Sequence, residues 1–259
     1  MRLKIDARLD YHFPAPADVL LALEVAKLPD QLLVEDRLTV STASPLTPVE
    51  GQDSIGRRTW TAGEGDFVAH YRATVDVERP LPDIAQIGAV PLRELPGLVI
   101  PFLWPSRYCL ADKVRDFAID NFGELQGGAQ ALAMSDWTRT NITYKPGASD
   151  EDTTAADTFQ QKEGICRDFA HVMISFARAL GMPARMVSAY AWQLDPPDFH
   201  AVVEVYLEGG WHLIDPTGLA PIEGLARIGI GRDAADISFM TIFGQAELRS
   251  QSVSVERIG

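Results

Sequence analysis

Residues 164–185, GICRDFAHVMISFARALGMPAR, constrain the fold more than any other stretch of this chain. From Cys166 onward the apolar side chains fall at Phe169, Ala170, Met173, Phe176, Ala177 and Leu180, the spacing of one helix face. Gly181 suits the left-handed position that ends a helix, and Pro183 forbids continuation. The run predicts a buried helix with Cys166 in its first turn, reached through a flexible Gly164. A thiol placed there sees the positive end of the helix dipole, which favours the nucleophilic thiolate. Taken alone, a cysteine on an apolar helix face is ordinarily small core filling, and Cys109 keeps that reading.

The segment PPDFHAVVEVYLEGGWHLIDPTG gives Cys166 a context. It reads as a strand from about His200 to Leu207, a Gly209-Gly210 turn and a return strand from Trp211 to Asp215. His200, Val202, Glu204 and Tyr206 share one face of the first strand; Trp211, Leu213 and Asp215 share one face of the second. A histidine and a carboxylate on neighbouring strands can complete a Cys-His-Asp arrangement, with His200 moving the proton and Asp215 orienting the imidazole. A two-residue turn at Gly209-Gly210 would set Asp215 opposite Glu204, four residues and about 13 Å along the strand from His200. The pair therefore requires a register slipped by an even number of residues, with Asp215 beside His200 or Val202, and a longer turn is expected.

The remaining histidines fit less well. His171 lies five residues after Cys166, about 140° away around the helix. His212 points away from Asp215, and His12 and His70 fall in the strand-rich first third. No H-x-x-x-H or C-x-x-C spacing supports a metal site, and no cofactor is expected. Asp168, in the first helical turn, is expected to complement the helix dipole, and Arg167 to face solvent or pair with an acid.

The first third alternates in the manner of strands. Leu3, Ile5 and Ala7 oppose Arg2, Lys4, Asp6 and Arg8, and Phe67, Ala69, Tyr71, Ala73 and Val75 alternate with polar neighbours. RLTVSTASP, RRTWTAG and DFVAHYRATVDVERP read as separate strands punctuated by Gly and Pro. A short helix is expected after Pro16, where Asp18 offers a cap and Val19, Leu20, Leu23 and Ala26 share a side. Six prolines within residues 80–105 argue for an extended connector, and helical patterning follows in KVRDFAIDNFG and GAQALAMSDWTRTNI. No internal repeat is visible.

Charge and cysteine content narrow the partners. The 259 residues carry a net charge of -13, a poor match for nucleic acid or anionic membrane surfaces, so neither is an expected partner. Two cysteines cannot build a disulfide framework, no apolar run is long enough for a membrane span, and MRLKIDARLDYHF lacks a signal-peptide apolar region. A reduced, cytoplasmic setting is the expectation.

Three motifs in combination carry a family resemblance: Gly164 to Cys166 at a helix start, Gly181 to Arg185 as GMPAR, and His200-Ala201 followed by Asp215 to Thr217. The chain resembles the bacterial members of the transglutaminase-like superfamily, whose core is related to papain; PSRYC and YKPGASDEDTTAADTF add to the likeness. Many members read H-A-W where Val202 stands here, a change in the wall beside the histidine. The resemblance implies an α+β fold: an N-terminal antiparallel, sandwich-like β domain (1–95), then a transglutaminase/papain-like catalytic core (96–259). In that core the nucleophile sits at a helix N-terminus packed on an antiparallel sheet. It implies catalytic roles for Cys166, His200 and Asp215. The Cys166 backbone N–H is one natural oxyanion donor. Gln160 stands six residues upstream, the offset at which papain-like enzymes carry a glutamine, although a polar loop residue is its plainer reading.

The expected chemistry is cysteine-dependent acyl transfer on an amide or peptide bond of a peptide or protein substrate, through a thioester and with hydrolysis favoured. The alternatives are crosslinking to an amine, as in transglutaminases, and a non-catalytic peptide-binding module. The calcium regulation of animal transglutaminases has no EF-hand-like loop to rest on here.

Overall fold

A computed structural model describes residues 1–259. The chain opens with β1 (Arg2–Leu21), β2 (Gln31–Val40), β3 (Thr47–Glu50) and β4 (Arg57–Val77). β1 and β4 form one long antiparallel pair, with β2 and β3 both added to β4. The segments RRTWTAG and DFVAHYRATVDVERP, read as two strands, are the single strand β4. It runs through Gly63 because a side chain there would meet the Phe13 ring at 2.7 Å, so the glycine is a packing requirement and not a break.

The short helix expected after Pro16 does not form. Residues 17–21 are strand, with Ala17 opposite Gly63 and Leu21 opposite Thr59. Ala17, Val19, Leu21 and Leu23 are buried in alternation, a period of two that Leu20 had obscured. Pairing along both sides of the strand outweighs the helical propensity of VLLALEVAK.

Residues 80–105 form an extended strap with short 3-10 turns, pinned to the core where Glu208 donates its N–H to Gly88 O (3.0 Å) and Gly128 to Ile87 O (2.8 Å). Then follow α1 (Arg115–Phe122), α2 (Gly127–Asn141), β5 (Thr143–Tyr144), α3 (Ala155–Gln161), β6 (Glu163–Gly164) and α4 (Cys166–Ala179). A second sheet is built from β7 (Ala184–Ala191), β8 (Phe199–Leu207), β9 (Gly210–Ile214) and β10 (Leu225–Gly231), in the antiparallel order β10-β7-β8-β9. α4 is the central helix of the larger core cluster, where Phe169, Met173, Phe176 and Ala177 meet Ala184, Ala201, Val203 and Val205. Gly181 takes φ +78° and the Met182 N–H returns to Ala177 O at 2.9 Å, closing the helix as its sequence requires.

The chain ends in β11 (Met240–Phe243) and β12 (Glu247–Arg257), and both pair with β1. The sheet of the first 95 residues is thus completed by strands from 240–257, which sequence reading had grouped with the core. Its buried face packs on Tyr190, Phe199, Ala226 and Ile228 of the second sheet, so the sandwich is formed between the two sheets. No helix is long and apolar enough to cross a membrane.

Candidate active site

Cys166 begins α4 and is half-buried, whereas Cys109 is wholly buried. Asp168 fixes the helix start: its Oδ2 accepts the Ile165 N–H at 2.8 Å and the Ser149 hydroxyl at 2.5 Å. Where its position implied only a complement to the helix dipole, Asp168 also hydrogen-bonds the helix start and a neighbouring loop. Arg167 donates to Asp150 O at 2.6 Å and strengthens the same tie.

His200 lies one residue into β8, opposite Ala189 of β7. The β8–β9 ladder runs from Leu207–Gly210 to Val203–Ile214. Asp215, one step further, is level with Val202, a register that sequence reasoning allowed. The turn differs: it is a tight one at Glu208-Gly209, with Gly209 at φ +83°, and not a longer loop. Moving a two-residue turn back by one position shifts the register by two and preserves the face on which Asp215 lies.

The imidazole Nε2–H donates to Asp215 Oδ2 at 2.9 Å, with both side chains buried. The carboxylate is otherwise saturated: Oδ1 accepts the Thr217 N–H (2.9 Å) and hydroxyl (2.7 Å), and Oδ2 accepts the Ala220 N–H (3.2 Å). This is the physical content of the D-P-T sequence, since Thr217 locks the carboxylate that locks the ring. His200 Nδ1 is buried and has no hydrogen-bond partner of its own. Burial pulls the imidazole pKa down, but the hydrogen bond to Asp215 and the negative charge of Asp215 and Cys166 outweigh it and lift the value to about 10. Burial pushes Asp215 up, and the imidazole and Thr217 more than reverse it, leaving the carboxyl below its usual range.

Gln160 is exposed on α3, near the end of that helix, and makes no hydrogen bond to Cys166, His200 or Asp215. The residue set beside the approach to Cys166 is Tyr144, which sequence reasoning singled out only within a resembling segment. Tyr144 pairs with Gly164 in a two-residue parallel bridge, and its ring lies 5.9 Å from that of Phe169. Burial first, and then the negative charge of Cys166, raises the Tyr144 hydroxyl to about 12. A two-residue bridge has no periodicity to read, so the sequence carried no signal for this placement.

The other histidines stand apart. His171 is buried on α4, stacked on Tyr108 at 5.1 Å, with Nε2 accepting the Ala234 N–H at 3.2 Å. His12 and His70 pair with Asp66 and Asp6 on the first sheet, and His212 reaches only Glu208 O. No group of three His, Cys, Asp or Glu side chains is arranged to hold a metal ion.

Residues 118–216 match the family described as the transglutaminase-like superfamily. The chain is similar to a solved Cytophaga hutchinsonii protein described as a candidate cysteine protease. That likeness is 34% identity over 99% of this chain and 90% of that one, with a TM-score of 0.92. It is also 33% identical over 119 residues to an uncharacterized protein of Mycobacterium leprae, covering 41% of each chain. A protein-glutamine gamma-glutamyltransferase of Pseudomonas aeruginosa is 32% identical over 129 residues, 44% of this chain and 18% of that protein. The chain spans less than half the length of these curated relatives.

Proposed function

The chain belongs to the transglutaminase-like superfamily, and from that premise we propose that it is a cysteine-dependent acyl-transfer enzyme acting on amide or peptide bonds. The observation that carries this reading is the state of His200: Nε2 bound to Asp215, Nδ1 free of other partners, and Cys166 near enough to stabilise the imidazolium. Cys166 is the nucleophile, His200 the acid and base acting through Nδ1, and Asp215 the residue that holds the ring. The thiolate attacks the carbonyl carbon, the C=O electron pair moves to oxygen, and collapse expels the amine with the proton from Nδ1. A thioester remains on Cys166.

Water completes a hydrolysis and an amine completes a crosslink. Hydrolysis is the favoured outcome, because the full-length likeness is to a candidate cysteine protease, whereas the likeness to a glutamyltransferase spans 18% of that protein. A peptide or protein is the substrate class.

The test is iodoacetamide alkylation of native protein, resolved by peptide mass. Cys166, half-buried at the helix start, is expected to react rapidly in the native protein. Cys109 is expected to stay silent until unfolding, since burial pushes its thiol up to about 12. A Cys166 as unreactive as Cys109 would overturn the reading and favour a peptide-binding module. Cys166→Ala should abolish turnover of a glutamine-containing peptide, and ammonia release against incorporation of a dansylated amine separates hydrolysis from crosslinking.

A further inference from the structure

His200 is the second residue of β8, where its own sheet holds the strand on one side only. The β8–β9 ladder stops at Val203–Ile214, so at His200 the backbone pairs with Ala189 of β7 alone. Behind it lies the connection 192–198, in which Gln193 and the run Asp195 to Asp198 are exposed. An imidazole that must serve Asp215 with one nitrogen and Cys166 with the other has to be held to about 0.5 Å. A strand end supported on one side does not provide that.

The missing support comes from the far end of the chain. Asp198 Oδ1 accepts the Phe199 N–H and the Gln251 Nε2–H, both at 2.7 Å. Gln251 lies on β12 opposite Leu9 of β1, so this carboxylate ties the start of β8 to the first sheet. One residue on, the buried Phe199 ring stacks on Phe239, with centroids 3.8 Å apart and planes at 21°. Phe239 is itself anchored, its carbonyl accepting the Ala22 N–H at 2.8 Å. One contact is polar and the other apolar, and both fall immediately before His200. The family match ends at residue 216, so neither Gln251 nor Phe239 belongs to the matched core.

On the acyl-transfer reading above, we propose that the C-terminal return clamps the histidine strand, with Gln251 and Phe239 as positioning residues that set the His200 ring between Asp215 and Cys166. They act through the backbone. With Asp198 and Phe199 fixed, the Cα–Cβ direction of His200 is fixed, and the 2.9 Å bond from Nε2 to Asp215 sets the remaining rotation of the ring. Without Gln251, Asp198 still caps Phe199, but the exposed connection behind it is free to swing and the ring samples a range of orientations.

The experiment uses the full chain and two readouts. The first is acylation of Cys166 by p-nitrophenyl acetate, which passes its acetyl group to the thiolate and expels p-nitrophenolate; the burst is followed and the acetyl group located by peptide mass. The second is solvent exchange of the His200 Nε2 proton, followed by NMR on histidine-labelled protein and assigned by its loss in His200→Gln. Gln251→Ala is expected to slow the burst about ten-fold and to speed that exchange about ten-fold. Gln251→Lys, which returns a donor to Asp198, should recover most of both. Ser252→Ala, the next position on β12 and opposite Arg8, should change neither. A merely structural Gln251 would lower the melting temperature and leave both rates, read well below it, unchanged; that outcome overturns the proposal. So do equal changes in Ser252→Ala, which would assign the effect to a frayed strand edge, or losses that Gln251→Lys does not recover. A wild-type burst no larger than that of Cys166→Ala would overturn the acyl-transfer reading itself. The exchange readout still judges the clamp in that case, so the two failures are distinguishable.

Discussion

His200 keeps its two ring nitrogens in different company, and its chemistry follows from that asymmetry. Nε2 is committed to a carboxylate that Thr217 and Ala220 hold from behind, so the free nitrogen must be Nδ1. The imidazolium needed to protonate a leaving amine persists until pH passes about 10. Turnover is therefore expected to fall on an alkaline limb near that value, read from a pH profile of acylation and turnover. Because the folded value lies above the ordinary 6.5, the pairing stabilises the protein fully below about pH 6.5 and is lost as pH rises through about 10. Asp215→Ala removes the partner. We expect turnover about 10²–10⁴-fold lower and the alkaline limb moved down toward the ordinary histidine range. The residue types of this constellation were legible in the sequence, because a cysteine before an amphipathic run and a histidine on an alternating strand are local patterns. The seat of Tyr144 was not, since it is set by Gly164 on a two-residue bridge too short to have a pattern.

At the scale of elements, α4 is the part whose sequence and structure agree most closely. Its apolar spacing, its glycine stop and the proline beyond it each act within a few residues, and every one appears where the spacing places it. Its start depends on a partner outside the helix, because Asp168 has no exposure and is shared between the Ile165 N–H and Ser149. Asp168→Ala strands both donors and should lower stability by about 1–3 kcal/mol, measured by urea unfolding. Acylation should fall with it, since the first turn carries Cys166, whereas Ser149→Ala should cost about 1 kcal/mol or less. Residues 17–21 behave differently: the same five residues satisfy a helical and an alternating pattern, and β4 and β11 decide between them.

Across the whole molecule, a buried ion network joins the two sheets. Glu204 of β8 accepts from Arg185 Nε and Arg227 Nη1, both at 2.7 Å. Arg227 also pairs with Asp30 near the start of β2, and Asp30 accepts from Arg79, just before the strap, at 2.7 Å. With Asp53 3.8 Å from Arg185, three guanidinium groups meet three carboxylates, so the network costs little while intact and much when opened. Glu204→Ala removes the buried acid that Arg185 and Arg227 share and should destabilise the protein by about 3–5 kcal/mol, with loss of both sheets in a single thermal transition. Together with the closing strands 240–257, this network makes the first 95 residues an integral partner of the core rather than an appended module. By itself the sequence determined the elements whose cause is local: the buried helix behind Cys166, the alternating strands, the chemical types in the site. Tertiary structure alone decided the one-residue placement of the β8–β9 turn, the strand identity of residues 17–21, the return of the C-terminus to β1 and the seat of Tyr144. Those depend on pairing between distant segments, where a shift of one residue reverses every side chain and no short-range period records which partner arrives.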